Sequence, residues 1–128
     1  MQKDISPIET DQAPGAIGPY SQAIKTGSLL FCSGQIPIDP ATGDFLNADA
    51  ATAAEQVIKN VTAVLAAGGA TLADVVKTTV FLVNMDDFAA VNAVYARHFG
   101  ESKPARACVE VSKLPKGALV EMDAIAVC

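Results

Sequence analysis

The side chains best suited to chemistry lie near the C-terminus. In the run 104–111, period-two alternation sends Arg106, Cys108 and Glu110 to one face of a strand and Ala105, Ala107, Val109 and Val111 to the other. In 119–125, Glu121 and Asp123 share a face opposite Val120 and Met122. If the two strands pair antiparallel, an index sum of 229 sets Cys108 opposite Glu121 and Arg106 opposite Asp123, so that guanidinium, thiol and carboxylates converge. An even sum brings Val120 and Met122 there instead. A guanidinium is a planar fork of donors, charged at any working pH, that takes a carboxylate through two parallel hydrogen bonds. A neighbouring carboxylate can orient water or move protons. The plainer alternative is an Arg–Asp or Arg–Glu pair on a solvated sheet face. Cys108 likewise reads either as a site thiol or as a small hydrophobe with no nearby cationic histidine to acidify it.

A second constellation lies upstream. Phe88, Asn92, Tyr95 and Phe99 follow at helical spacing, which puts Asn92 inside an aromatic stripe rather than on the charged face. An inward amide must be satisfied, either by neighbouring backbone or by lining a pocket. Gly18-Pro19-Tyr20 and Ser33-Gly34-Gln35 are loop positions where backbone can approach a ligand and a hydroxyl can donate, or where ordinary turn chemistry is enough. His98 is the only histidine, beside Arg97 near a helix end, and its position suits dipole complementation better than catalysis.

The elements that must position these groups follow from periodicity. After a polar start over residues 1–19, segments 21–25 and 29–33 flank Thr26-Gly27-Ser28 as a hairpin. Pro37 and Pro40 bar the next stretch from a central strand, and residues 41–43 form a turn. Val57, Ile58, Val61, Val64 and Leu65 mark an amphipathic helix over 50–67, stopped by Gly68-Gly69. The Val- and Thr-rich run 75–83 is a central strand, and Asp86 or Asp87 caps a second helix ending at Phe99-Gly100. Segments 105–111 and 119–127 are strands joined by a turn holding Pro115 and Gly117. Two helices against about five strands predict an α+β domain: one mixed sheet with both helices on one face, and the other face covered by a second subunit.

Composition bounds the function. The 128 residues contain no repeat or linker, so residues 1–128 form one domain. Hydrophobic residues make up 51%, but 23 of them are Ala, leaving a thin core that subunit contacts would help. A net charge of -5 and the lack of a basic cluster argue against nucleic acid as a partner. Cys32, Cys108 and Cys128 form no CxxC, so neither a disulfide framework nor a zinc knuckle is expected, and three reduced thiols suit the cytoplasm. No stretch resembles a signal-peptide core, and none reaches the ~18 apolar residues needed to cross a bilayer.

The stretch PARACVEVSKLPKGALVEMDAIAV, with AIGPYSQA at 16–23, SGQIPIDPATG at 33–43 and VVKTTVFLVNMDDFAAVNAVYARHF at 75–99, resembles the RidA (YjgF) family of reactive-intermediate deaminases. The resemblance runs from Ala16 onward. It implies a chorismate-mutase-like, YjgF-like α+β fold assembled as a homotrimeric barrel with active sites between subunits. It also implies hydrolysis of 2-iminobutanoate and 2-iminopropanoate to 2-keto acids and ammonia. These imines arise from enamines released by pyridoxal-phosphate-dependent dehydratases, and their removal is a detoxification that needs no metal or cofactor. By the same resemblance Arg106 clamps the substrate carboxylate, Glu121 positions or activates water, and the Cys108 backbone contributes to the site. Tyr20, Ser33, Gly34 and Asn92 line the pocket. Ala107 lies between the arginine and the cysteine, where many relatives carry Ser or Thr, on the side facing away from Arg106. Other relatives are described as endoribonucleases or translation inhibitors, and non-catalytic ligand sensing or holdase activity is a third class.

Overall fold

The computed structural model of the chain describes residues 3–128; the first two residues of the polar start lie outside it. Strands β1 (Ser6–Ile8), β2 (Ala23–Thr26) and β3 (Leu29–Gln35) precede helix α1 (Ala50–Ala67). Strand β4 (Val75–Leu82), helix α2 (Phe88–Phe99), β5 (Ala105–Glu110) and β6 (Val120–Val127) complete the chain. One six-stranded mixed sheet runs β1-β2-β3-β6-β4-β5, with β4 and β5 parallel and the other neighbours antiparallel. The short β1, which pairs Pro7 with Ile24, is the strand that the sequence pattern did not reveal.

The hairpin and α1 fall where periodicity predicts them. Asp49 caps α1, its Oδ1 accepting from the Thr52 N–H at 2.7 Å. Gly68 ends the helix for a packing reason as well: a Cβ there would meet the Leu30 methyls at 2.6 and 2.8 Å, and Leu30 is fully buried. Gly69, at φ 88, then takes the left-handed turn. The start of α2 differs from expectation. Asn84 caps a 3-10 turn over Met85–Asp87, accepting from Asp86 N–H at 2.9 Å, while Asp87 has helical φ and ψ and no side-chain cap bond. Asn84 thus captures the first free N–H one turn before the helix proper.

Both helices cover the same sheet face. Val80, Val120 and Met122 meet Ala54, Val57 and Ile58 of α1 and Val91 and Tyr95 of α2, with a void between them that holds no more than about one water. On the opposite face Leu29, Phe31, Val109 and Val127 are each 38–43% exposed, an apolar sheet surface bare in the single chain.

The expected pairing of the last two strands is overturned. Strand β5 lies parallel to β4, with Thr78 opposite Arg106 and Val80 opposite Cys108. Strand β6 lies on the far side of β4, with Phe81 opposite Glu121 and Thr79 opposite Asp123. The α2 crossover delivers β5 in the parallel sense, and the long connection over 111–119 carries the chain past β4. Burial explains the choice. In β6, Val120, Met122, Ala124 and Ala126 are at most 2% exposed, as a central strand requires, whereas β5 bears exposed Arg106 and Glu110 and suits an edge.

Candidate functional site

The strand register decides which groups can meet. Arg106, Cys108 and Glu110 share the helix-covered face with Thr78, Val80 and Leu82, while Glu121 and Asp123 share the bare face with Thr79 and Phe81. The predicted convergence of Arg106, Cys108, Glu121 and Asp123 therefore does not occur within one chain, because β4 separates the strands and the sheet separates the side chains.

Arg106 sits at the sheet edge beneath α2. Its Nη1 donates to Asn92 Oδ1 at 2.8 Å, and its Cζ lies 4.7 Å from the Tyr95 ring centroid and 5.6 Å from that of Phe88. Asn92 is thus satisfied by a side chain rather than by backbone. Among the described residues no carboxylate is within ion-pair distance of Arg106, and the expected cross-strand Arg–Asp or Arg–Glu alternative is absent there. Glu110 instead accepts from Met85 N–H at 2.8 Å, tying β5 to the start of α2. Burial pushes the Cys108 thiol pKa up, and the nearby Arg106 charge partly opposes this, so Cys108 is no ready thiolate. Cys32, deeper in the core, is pushed up to about 12 by burial and by the Asp123 charge.

Glu121 occupies the bare face beside the irregular pairing of β3 with β6 between Cys32 and Gln35, where Ser33 and Gly34 lie. Its carboxylate packs against Gly34 so closely that a Cβ on residue 34 would collide with it. Burial raises the Glu121 pKa above the ordinary carboxylate value, and the like charge of Asp123 adds to the effect. Asp123 itself accepts from Thr79 N–H at 3.2 Å. Ser33 Oγ donates to Ser21 O at 2.6 Å, so its hydroxyl proton holds the loop before β2. Ala107, opposite Thr79, faces the Glu121 side, away from Arg106 as expected.

Tyr20 belongs to a third location. It is 52% exposed, its hydroxyl accepts from Ile17 N–H at 3.3 Å, and it lines an open groove of about 1250 Å³ together with Gly18, Ser21, Ile38, Pro40 and Lys116. Neither Arg106 nor Glu121 lines that groove. Sequence reasoning missed Gln22, 2% exposed, which pins the strap leading to Tyr20. Its Oε1 accepts from Thr10 N–H at 2.7 Å, and its Nε2 donates to Thr10 O and Pro14 O at 3.0 and 2.8 Å. Thr78, whose Oγ1 lies 2.8 Å from the Tyr95 hydroxyl, was also missed; only its β-branched strand character was visible. His98 is occupied structurally, its Nε2 2.9 Å from Glu55 Oε1, which with Arg97 ties α2 to α1.

The six-stranded mixed sheet with two helices on one face, whose edge here carries an arginine held against an aromatic stripe, is shared in architecture with solved Rid proteins. One of these, from Yersinia pestis, superposes with a TM-score of 0.94 at 51% identity over 97% of this chain and 99% of that one. A family model described as endoribonuclease L-PSP matches residues 10–128, and the chain belongs to this RidA/YjgF family. A RutC family protein of Sinorhizobium fredii is 58% identical over 121 residues, covering 94% of this chain and 96% of that protein. The 2-iminobutanoate/2-iminopropanoate deaminase of Escherichia coli is 49% identical over 123 residues, 94% of this chain and 95% of the enzyme. The crystal structure of Escherichia coli TdcF with bound serine superposes with a TM-score of 0.91 at 45% identity, covering 96% of this chain and 98% of that one.

Proposed function

We propose that this protein is a 2-imino acid deaminase, hydrolysing 2-iminobutanoate and 2-iminopropanoate to the 2-keto acids and ammonia. One observation carries the reading. The Arg106 guanidinium is positioned by an amide and two rings, yet no carboxylate among the described residues neutralises it, so its charge and its remaining N–H groups are available to an anionic ligand. A small 2-imino carboxylate fits that chemistry, and the serine bound to Escherichia coli TdcF is likewise a small molecule bearing a carboxylate.

Arg106 holds the carboxylate and thereby fixes C2. Cys108 contributes its backbone, Tyr20, Ser33, Gly34 and Asn92 line the pocket, and Ala107 leaves the reaction unchanged. A water positioned by Glu121 adds to C2, its oxygen forming the new C–O bond as the C=N π electrons move to nitrogen. Glu121 passes one proton of that water to nitrogen, the C–N bond then breaks as the hydroxyl oxygen forms the carbonyl, and the hydroxyl's proton goes to the departing ammonia, which leaves as ammonium. A protonated imine is already a strong electrophile, so orientation and a proton path suffice without metal or organic cofactor. Burial and the like charge of Asp123 raise the Glu121 pKa, which favours its accepting a proton before returning it.

Arg106 and Glu121 lie on opposite faces of one sheet, and the Glu121 face is the bare apolar one. We therefore infer a homotrimer in which that face is buried and each site combines Arg106 from one subunit with Glu121 from its neighbour. Three unpaired thiols suit a reducing compartment, and detoxification in the cytoplasm fits the substrate's origin. The test is a coupled assay in which a threonine dehydratase generates the imine and keto-acid appearance is followed. Arg106→Ala abolishes the acceleration while leaving the assembly folded, and an unchanged rate overturns the assignment. The family model's description keeps an endoribonuclease reading in view, against which the charge of -5 weighs. RNA cleavage that survives replacement of both Arg106 and Glu121 would favour it, and ligand binding without turnover would favour a sensor.

A further inference from the structure

The support beneath Arg106 closes on itself. Thr78 is the β4 residue paired with Arg106 across the parallel ladder. It is fully buried, and its Oγ1 is 2.8 Å from the Tyr95 hydroxyl. The Tyr95 ring in turn stacks on Phe99 with centroids 4.5 Å apart and presents a face to Arg106 Cζ at 4.7 Å. Asn92, one helical turn before Tyr95, accepts from Arg106 Nη1. Backbone pairing, the hydroxyl bond, the ring face and the amide thus form a loop of contacts through β4, α2 and β5 that begins and ends at Arg106. A solvated arginine at a sheet edge would otherwise sample many rotamers, and each would have to be given up on binding an anion.

We propose that Tyr95 and Thr78 are positioning residues for the anion-binding guanidinium: the Thr78–Tyr95 hydroxyl bond fixes the ring, and the ring fixes the guanidinium with its Nε–Nη2 edge free for a carboxylate. This rests on the reading of Arg106 as the carboxylate clamp. Neither residue touches the substrate. Burial raises the Tyr95 pKa, so the phenol stays neutral and remains available for the hydroxyl bond across the working pH range. The hydroxyl bond and the ring face are separable. Tyr95→Phe and Thr78→Val each break the bond while keeping a π surface, whereas Tyr95→Leu removes the surface itself.

The experiment measures binding of 2-oxobutanoate, the keto-acid product used as a carboxylate probe, and KM and kcat for imine hydrolysis, on the full-length protein with thermal melting alongside. Tyr95→Phe and Thr78→Val each weaken probe binding and raise KM by roughly threefold to tenfold with kcat within about twofold, and Tyr95→Leu weakens binding by about tenfold or more. The double variant Thr78→Val/Tyr95→Phe is no worse than either single change, because both remove the same bond, and Thr78→Ser restores affinity. If all these variants lower the melting temperature but leave probe affinity and KM unchanged, the residues are merely structural and the proposal is overturned. Should Tyr95→Leu fail to fold, the isosteric pair decides alone. Arg106→Ala separates the two levels: probe affinity insensitive to Arg106 refutes the clamp, whereas affinity lost in Arg106→Ala and kept in Thr78→Val and Tyr95→Phe refutes only the positioning.

Discussion

Replacing Gly34 by alanine tests whether Glu121 acts from the place it occupies. Gly34 has no positive φ, so alanine is compatible with the backbone, and loss of glycine's unfolded-state freedom favours the folded variant by about 0.4–1 kcal/mol. The obstacle is the Glu121 side chain. A Cβ at position 34 would meet Glu121 Oε2 first and would lie 2.9 Å from Cδ and 3.3 Å from Cγ, where ordinary contact begins at 3.4 Å, so the carboxyl carbon must retreat by about 0.5 Å and the oxygen further. The retreat is structurally cheap, because the obstructing atoms are the end of a flexible chain bordering the bare sheet face. Under the mechanism proposed for Glu121 it is catalytically costly. A displacement of ~1 Å at a reacting centre costs on the order of a hundredfold, and half of it on a logarithmic scale about tenfold. We expect Gly34→Ala to lower kcat in the coupled dehydratase assay by about tenfold or more, with KM little changed and thermal stability equal or slightly higher. In a Glu121→Gln background the same substitution should add almost nothing, since the group it displaces no longer transfers protons. A Gly34→Ala enzyme that keeps wild-type kcat and the same melting temperature refutes the idea that this carboxylate's position matters.

Two further outcomes follow from the same geometry. Glu121 has a raised pKa, so ionising it costs the folded state: the penalty is absent below the unfolded value of 4.5 and fully present above the folded one. Glu121→Gln should therefore melt at a higher temperature than wild type at neutral pH, with the advantage vanishing as pH falls through the raised pKa toward 4.5, even as turnover is lost; melting curves over that range check it. Gly68→Ala drives a methyl into the Leu30 methyls inside a closed core, and urea denaturation should show a loss of about 1–3 kcal/mol, whereas a neutral result would mean that Leu30 can repack.

Much of this was legible in the sequence for local reasons. The α1 stripe, the Thr26-Gly27-Ser28 hairpin and the Val/Thr run of β4 each declare themselves within about a dozen residues. The alternation in β5 and β6 correctly assigned which side chains share a face of their own strand. Strand order was not legible, because it is settled by competition between distant segments for the centre of the sheet, and β6 wins that place through four small or apolar residues buried at once. The guessed hairpin register consequently brought Arg106 and Glu121 together when they lie back to back. Asn92 was visible as an amide out of place in an aromatic stripe, but its partner, Arg106, is 14 residues away across a crossover. Gln22, Asn60 and Thr78 gave no signal, since a buried polar side chain looks like a surface one until the carbonyl or hydroxyl it satisfies is in view.

In the proposed trimer the back-to-back placement of Arg106 and Glu121 also has a genetic consequence. When a site borrows one group from each of two subunits, the damage done by an allele lacking Arg106 and by one lacking Glu121 is not the same damage. A cell expressing both defective alleles would assemble mixed oligomers, and random mixing would leave roughly one site in four with both groups intact. Two null alleles of one gene would then partly rescue each other, whereas two different lesions confined to the Arg106 side would not. Under that proposal selection acts on the assembled ring of neighbours, and a single chain is only half of what is inherited as an active site.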